Sequence, residues 1–255
     1  MDNTLHNKAI VEQFTNQAVP FSLRHRQEDA LNLMLRLSRV GASDTVLDVA
    51  CGPGIVACAF AAVARHVTGI DITPAMLDRA RSLQQENGLR NLAWECGDVA
   101  TLPFPDDSFS IVVTRYSFHH FLSPAEVLRE MARVCRPSGR VMVVDVSPAA
   151  EKLSAYDHFE KLRDPSHVHA FSPEDLRAFM AAAGLNQIES ASYSLDMELE
   201  QQLAASFPNP GDADRVRELF RNDLGRDCLG VGAHLEGNEI RFAYPTTVIV
   251  ATQPS

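Results

Sequence analysis

The sequence predicts a doubly wound α/β domain, and three observations predict it. Short apolar runs rich in β-branched residues recur at 45–50 (TVLDVA), 66–71 (HVTGID), 91–96, 110–114 (SIVVT) and 140–146 (RVMVVDV). That is the pattern of strands buried on both faces. Helical patterns with recognisable starts lie between them, and a glycine turn, Cys51-Gly52-Pro53-Gly54, follows the first run directly. Strands alternating with helices give βαβ units and a parallel sheet, which right-handed crossovers wind doubly.

The elements follow in order. Residues 8–21 (KAIVEQFTNQAVPF) read as an amphipathic helix with Ile10, Val11 and Phe14 on one face. Thr73-Pro74 opens a helix after the second strand. Ser123-Pro124-Ala125-Glu126 reads as a capping box with proline at the first helical position. Val127, Leu128, Met131, Val134 and Cys135 continue it at helical spacing, and Pro137 stops it. Ser172-Pro173-Glu174-Asp175 opens another helix, with Leu176, Phe179, Met180 and Ala183 on one face and Gly184 as its stop. Two further strands are expected at 186–195 and 244–251, with a helix at 213–224 and a turn near Gly237-Asn238 between them.

Bulk properties narrow the function classes. A chain of 255 residues, 45% hydrophobic, can bury its own core. Its net charge of −10 argues against a nucleic-acid partner, since phosphate-backbone binders carry a basic face. No apolar run approaches a membrane span, and MDNTLHNKAIVEQF lacks the basic start and apolar centre of a signal peptide. Five scattered cysteines without a CxxC pair read as free thiols of a cytoplasmic protein. No metal is expected: His119-His120 and His167-x-His169 have neither HExxH nor CxxC spacing to support them.

In a doubly wound sheet, ligands bind beyond the carboxyl ends of the strands, where DVACGPG (48–54) lies. Gly52-Pro-Gly54-Ile-Val-Ala57 matches G-x-G-x-x-G/A, and Asp71 ends the next strand as a ribose-binding acid should. The bare pattern therefore also admits a nicotinamide oxidoreductase. Asp48 decides between ligands. A carboxylate beside a pyrophosphate would cost about 1 to 4 kcal/mol at 4 Å, whereas a cationic ligand reverses the sign. S-adenosylmethionine has a ribose, a sulfonium and an ammonium, and no phosphate. The competing structural role for Asp48 is to cap the turn. Asp98 in Cys96-Gly97-Asp98-Val99 adds a third acid at a strand end.

With VLDVACGPG, VTGIDITPAML, WECGDVATLPFPDDSFSIVV and LREMARVCRPSGRVMVVD in view, residues 45–185 resemble the class I S-adenosylmethionine-dependent methyltransferases of the small-molecule type, near those of ubiquinone and menaquinone biosynthesis. The resemblance implies a Rossmann-like, seven-stranded, mostly parallel sheet with an antiparallel edge hairpin. It implies that Gly52 and Gly54 approach the methionine part of the cofactor beside Ala50, where many members have glycine. Asp71 would take the ribose hydroxyls, Ile72 and Met76 the adenine faces, and Asp98 and Val99 its edge; the region of Arg115 would meet the methionine amino group. In related enzymes the N-terminal segment covers the cofactor, which would turn Phe14 and Gln17 toward it. The resulting organisation is a helical lid at 1–40, a core at 41–195 and 244–255, and an insertion at 196–243 that caps the substrate.

Methyl transfer is an in-line displacement, so alignment dominates and a base is needed only for a protonated nucleophile. His119 and His120 follow the fourth strand and are the candidate bases. The expected acceptor is a small, aromatic or partly apolar metabolite, methylated on oxygen or carbon, in a pocket walled by Phe118, His119, His120, Tyr156 and Phe159. The loop 163–169, RDPSHVH, is expected at its mouth. A protein that binds the cofactor or S-adenosylhomocysteine without transfer is the alternative. The chain is expected to act as a monomer or homodimer.

Overall fold

The computed structural model describes residues 3–24 and 28–255. Helices α1 (Asn3–Arg24) and α2 (Glu28–Ser38) lead into β1 (Thr45–Val49), α3 (Ile55–Ala61), β2 (His66–Asp71), α4 (Pro74–Glu86), β3 (Leu92–Cys96) and β4 (Phe109–Arg115). Then come α5 (Pro124–Val134), β5 (Cys135–Val146), α6 (Leu153–Arg163), α7 (Pro173–Ala182) and β6 (Asn186–Glu198). The chain ends with α8 (Leu199–Ala204), α9 (Asp212–Asp223), β7 (His234–Glu236) and β8 (Glu239–Thr252).

The strands form one sheet in the order β3-β2-β1-β4-β5-β8-β6. β1 to β5 pair in parallel, and β8 enters antiparallel to both β5 and β6. The strand order reverses between β1 and β4, so the crevice that binds ligands in such sheets opens there. Among the described residues the sheet has eight strands rather than seven. The addition is β7, which pairs with the start of β8 through the Gly237-Asn238 turn, Gly237 taking φ 62°.

Alternation along each central strand feeds two cores. Leu47, Val49, Val112, Val141, Val143 and Ile249 face α5 and α7, while Val46, Ile111, Val113, Met142, Val144 and Val248 face α2 and α3. Burial on both faces explains why these strands read as continuous apolar runs. Met34 of α2 is fully buried in the second of these cores, so α2 belongs to the packed domain and not to a lid.

Several boundaries move. β6 and β8 reach 198 and 239, which shortens the expected insertion to 199–238. Together with α6 and β8 it builds a separate core from Tyr156, Phe159, Leu203, Val216, Phe220 and Phe242. Ser123 is no capping box: its side chain makes no cap bond, and Pro124 alone marks the start of α5. Cys135 is already extended, two residues before Pro137, because β5 claims it. Ser172 and Asp175 do form a reciprocal capping box on α7.

Gly54 starts α3 at φ 80°, and a Cβ there would sit 2.7 Å from the Trp94 ring and 2.8 Å from Ala80 Cβ. The glycine therefore lets α3, α4 and β3 close on one another. Gly54→Ala should destabilise the fold by at least about 2 kcal/mol, from left-handed strain plus overpacking. A urea midpoint equal to that of the parent protein would refute the close-packing role.

Candidate functional site

One large cavity opens at the switch point, enclosing about 1220 Å³ with its mouth included. The carboxyl ends of β1, β2 and β4 form its floor, and α1 lies across it through His6, Asn7, Ile10 and Phe14. Phe14, Asp48, Ala50, Gly52, Asp71, Ile72, Met76, Asp98, Val99 and Arg115, the residues assigned to the cofactor from sequence, line it, and so does His120, which was assigned to the acceptor pocket. Gly54, Gln17 and His119 do not. Gly54 is occupied by helix packing, and Gln17 instead donates from Nε2 to Asp164 Oδ2 at 3.2 Å.

The strand-end acids differ sharply in state. Asp48 is 1% exposed, and its Oδ2 has no hydrogen-bond partner among the described residues. Burial, reinforced by the nearby Asp71 charge, pushes its carboxyl up to about 8; the Ala57 amide and Arg115 act in the opposite sense. The carboxyl thus meets the Ala57 amide at the start of α3, which accords with a turn-capping role, while Oδ2 is left over. Asp71 accepts from Gly52 N–H at Oδ2 and from Thr73 N–H at Oδ1, each at 2.8 Å. Burial still holds its pKa above the ordinary carboxylate value. These bonds fix the plane of the carboxylate and leave further lone pairs for a ligand. Asp98 is exposed, accepting from Ala100 N–H at 2.9 Å and from Asn7 Nδ2 at 2.7 Å, so the start of α1 is tied to the end of β3.

Arg115 brings a cation to the same wall. Its guanidinium stacks 4.6 Å from the Tyr116 ring centroid, and its buried Nε and Nη2 have no partner among the described residues. Tyr116 takes φ 55° and Ala50 φ 54°, left-handed values that bulky and β-carbon-bearing residues rarely adopt. Such strain clusters where a fold must aim groups at a ligand.

A second cavity of about 650 Å³ adjoins the first, and the two share Phe14, Tyr116 and His120. Its walls include His119, Val146, Tyr156, Leu195 and Tyr244, with Gln202, Ala205 and Ser206 from the inserted segment. Phe118 and Phe159, expected to line the acceptor pocket, do not. Phe118 packs edge-on against Phe121, Phe171 and Phe179, and Phe159 against Tyr156 and Phe220, so both are core.

The two histidines are distinguished by their partners. His119 Nδ1 lies 2.6 Å from Asp145 Oδ1, and its backbone N–H donates to Asp145 Oδ2 at 3.1 Å. In the neutral ring Nδ1 therefore carries the proton, which makes Nε2 the acceptor nitrogen. Burial opposes a charge on His119, yet the Asp145 carboxylate, helped by Glu160, outweighs it and raises the pKa. His120 donates from Nδ1 to the Ser166 carbonyl at 3.0 Å. Burial, then the neighbouring His119, holds His120 well below the usual imidazole value, so it is neutral near pH 7. Its ring meets Phe14 edge-on at 5.1 Å.

Loop 163–169 lies beside the second cavity as expected, but its role is structural as well as lining. Arg163 is clamped by Glu160, with Nε at 3.1 and 3.0 Å from the two oxygens and Nη2 at 2.6 Å. Tyr244 donates to Glu160 at 2.8 Å, and Ser166 caps Asp164. His167 and His169 both bond Asp157. No group of three or more metal-capable side chains occurs among the described residues, and no described helix is long and apolar enough to cross a membrane.

Sequence reasoning missed Asp145, Glu160, Tyr244, Gln202 and Asn7. Asp145 was within reach, because it ends an apolar strand as Asp48 and Asp71 do. The others depend on helix faces and on an insertion packed far from them in sequence.

Comparison with known proteins agrees with this fold. A family described as methyltransferase domain matches residues 47–143. The uncharacterized methyltransferase YcgJ of Bacillus subtilis (strain 168) is 31% identical over 226 residues, which cover 86% of this chain and 88% of the relative. The crystal structure of YcgJ matches with a TM-score of 0.82 at 27% identity, covering 90% of this chain and 100% of that one. Demethylmenaquinone methyltransferase of Listeria welshimeri is 35% identical over 116 residues, which cover 44% of this chain and 49% of that protein. A Haemonchus contortus phosphoethanolamine N-methyltransferase 2 in complex with S-adenosyl-L-methionine shares the fold, at TM-score 0.65 and 16% identity over 90% of this chain and 53% of that one.

Proposed function

The chain belongs to the class I S-adenosylmethionine-dependent methyltransferases, and we propose that it methylates an oxygen or carbon of a small, aromatic or partly apolar metabolite held in the second cavity, in the cytoplasm. The observation that carries the assignment of the two cavities is the unpartnered Asp48 Oδ2 on the wall of the first. A buried carboxyl oxygen without a partner costs free energy unless a ligand engages it.

The residues of the first cavity fit the cofactor. Asp48 suits the cationic end of the methionine part. Arg115, itself a cation with two free donors, suits the carboxylate, not the amino group that the resemblance assigned to its region. Asp71 suits the ribose hydroxyls, and Ile72 and Met76 suit the adenine faces. When bound, the cofactor supplies an activated methyl group on a positively charged sulfur, so the chain itself need only bind, align and manage a proton. His6 donates from Nε2 to the His120 carbonyl at 2.7 Å, and Asn7 holds Asp98, so the first turns of α1 act as the lid. Phe14, Tyr116 and His120 form the junction across which donor and acceptor meet. The segment 199–238 serves as the cap over the acceptor.

Asp71→Ala should weaken cofactor binding by at least about tenfold, as loss of charge-assisted hydrogen bonds predicts. Unchanged affinity would refute the ribose role. The overall reading is tested by calorimetric titration with S-adenosylmethionine, S-adenosylhomocysteine and NADH in parallel, followed by a methyl-transfer assay on a panel of metabolites. Binding of the first two with turnover supports an enzyme. Binding without any turnover would indicate a cofactor-binding protein.

A further inference from the structure

The second cavity contains one buried polar group that its own surroundings do not satisfy. Tyr156 is fully buried on α6 and lines the cavity, and its hydroxyl has no hydrogen-bond partner among the described residues. Leaving such a donor unmet is costly, so the site favours a ligand that presents an oxygen to it.

The charged groups on the same wall are, by contrast, already engaged. Glu160 takes Arg163 and the Tyr244 hydroxyl. Arg163 spends its remaining reach on Ser206 Oγ at 3.1 Å. Asp164 takes Ser166 and Gln17. His119 is paired with Asp145. A carboxylate or phosphate entering this cavity would meet Glu160 and Asp164 with no uncommitted cation to offset them. It would also lose its water in a pocket where desolvation is expensive. Phe14, Tyr116, Tyr156 and Tyr244 supply ring surfaces around the space, while Val146 and Leu195 supply aliphatic ones.

Resting on the function proposed above, we propose that the acceptor is an uncharged aromatic hydroxy compound, held through an oxygen by the Tyr156 hydroxyl and methylated on oxygen. The acceptor oxygen forms its bond to the methyl carbon as the carbon–sulfur bond breaks, with the electron pair left on sulfur. The hydroxyl proton goes to His119 Nε2, whose opposite nitrogen is held by Asp145. The positive charge of the donor thereby ends as a proton on the protein, and no further reagent is needed. Tyr156 selects the acceptor class, and the Glu160–Arg163–Tyr244 network rejects anions by leaving no cation free.

The test uses full-length protein saturated with S-adenosylhomocysteine and titrated with 2-naphthol, 2-naphthoate and phosphoethanolamine. 2-Naphthol should bind at least about tenfold more tightly than either charged probe, and Tyr156→Phe should remove at least about tenfold of that affinity. S-adenosylhomocysteine affinity should stay the same in the variant. The urea midpoint of Tyr156→Phe should not fall, since the ring is kept and an unpaired buried hydroxyl is removed. Equal or tighter binding of 2-naphthoate or phosphoethanolamine would overturn the assignment, as would 2-naphthol affinity indifferent to Tyr156→Phe or no 2-naphthol binding at all. Failure of S-adenosylhomocysteine to bind the parent protein would instead strike at the function on which the inference rests.

Discussion

S-adenosylmethionine should bind with release of a proton at pH 6 to 7, and Asp48→Asn should bind it about ten- to hundredfold more weakly. The cause is the state of Asp48 in the free protein. Burial first, then the Asp71 charge, puts its carboxyl at about 8, against the lowering influence of the Ala57 amide and Arg115. The free protein is therefore protonated there at neutral pH. A cation placed beside the group favours the carboxylate, so binding expels the proton. Apparent affinity should then rise with pH, by at most about tenfold per unit, and level off above about 8. Asparagine cannot ionise, so the variant should show neither the slope nor the proton release. Calorimetry at several pH values, each in two buffers of different ionisation enthalpy, reads both quantities. Affinity independent of pH in the parent protein, with no buffer dependence, would mean that Asp48 does not face the cationic end of the ligand.

The same shift has a consequence for folding, with a definite sign. The folded pKa of Asp48 lies above its ordinary value of 3.8, so the folded state holds a proton that the unfolded chain gives up. This group's contribution to stability is complete below 3.8 and declines as pH rises toward about 8. A group that weakens the fold at working pH makes sense where a ligand offsets the loss, and strained and desolvated residues cluster at such sites.

What the sequence disclosed, and what it withheld, follows from how far apart the determinants lie. Asp48 and Asp71 were legible because each interrupts an apolar strand at its carboxyl end, a signal contained within six residues of sequence. The parallel sheet was legible because β4 is buried along its whole length and carries the apolar run Ile111-Val112-Val113 at its centre. The packing role of Gly54 was not legible, because the turn pattern is the same whether a glycine admits a ligand or a helix. Only the positions of Trp94 and Ala80, brought in by β3 and α4, decide between them. The Ser123 and Ser172 starts look alike in sequence, yet only Ser172 turns its hydroxyl to the helix. The second cavity was the least legible part. Its walls come from α1, the turn after β4, β5, α6, β6, α8 and β8, and no local pattern announces that Tyr244 of β8 will bond Glu160 of α6.

Asp145→Asn and His119→Gln should each lower kcat by about 10²- to 10⁴-fold, the usual scale of a lost general base. S-adenosylmethionine affinity should be unchanged, because neither residue lines the first cavity. The pH profile separates this role from a structural one. His119 is surrounded by Asp145 and Glu160, which raise its pKa, and by burial and Arg163, which lower it; the net direction is upward. His120 and His167 also flank its ring, at centroid distances of 4.2 and 5.4 Å. A base with a raised pKa is inactive while protonated, so kcat should climb with pH through a midpoint above the ordinary imidazole value of 6.5. Removing the Asp145 charge takes away the principal interaction that raises that pKa, so the midpoint of Asp145→Asn should move down even as the plateau falls. A misfolded variant would lose activity at every pH without moving the midpoint. If the parent kcat is flat across this range, or if Asp145→Asn keeps the parent midpoint, the proton leaves the acceptor by another route, and the Asp145–His119 pair serves only to anchor β5 to the turn that follows β4.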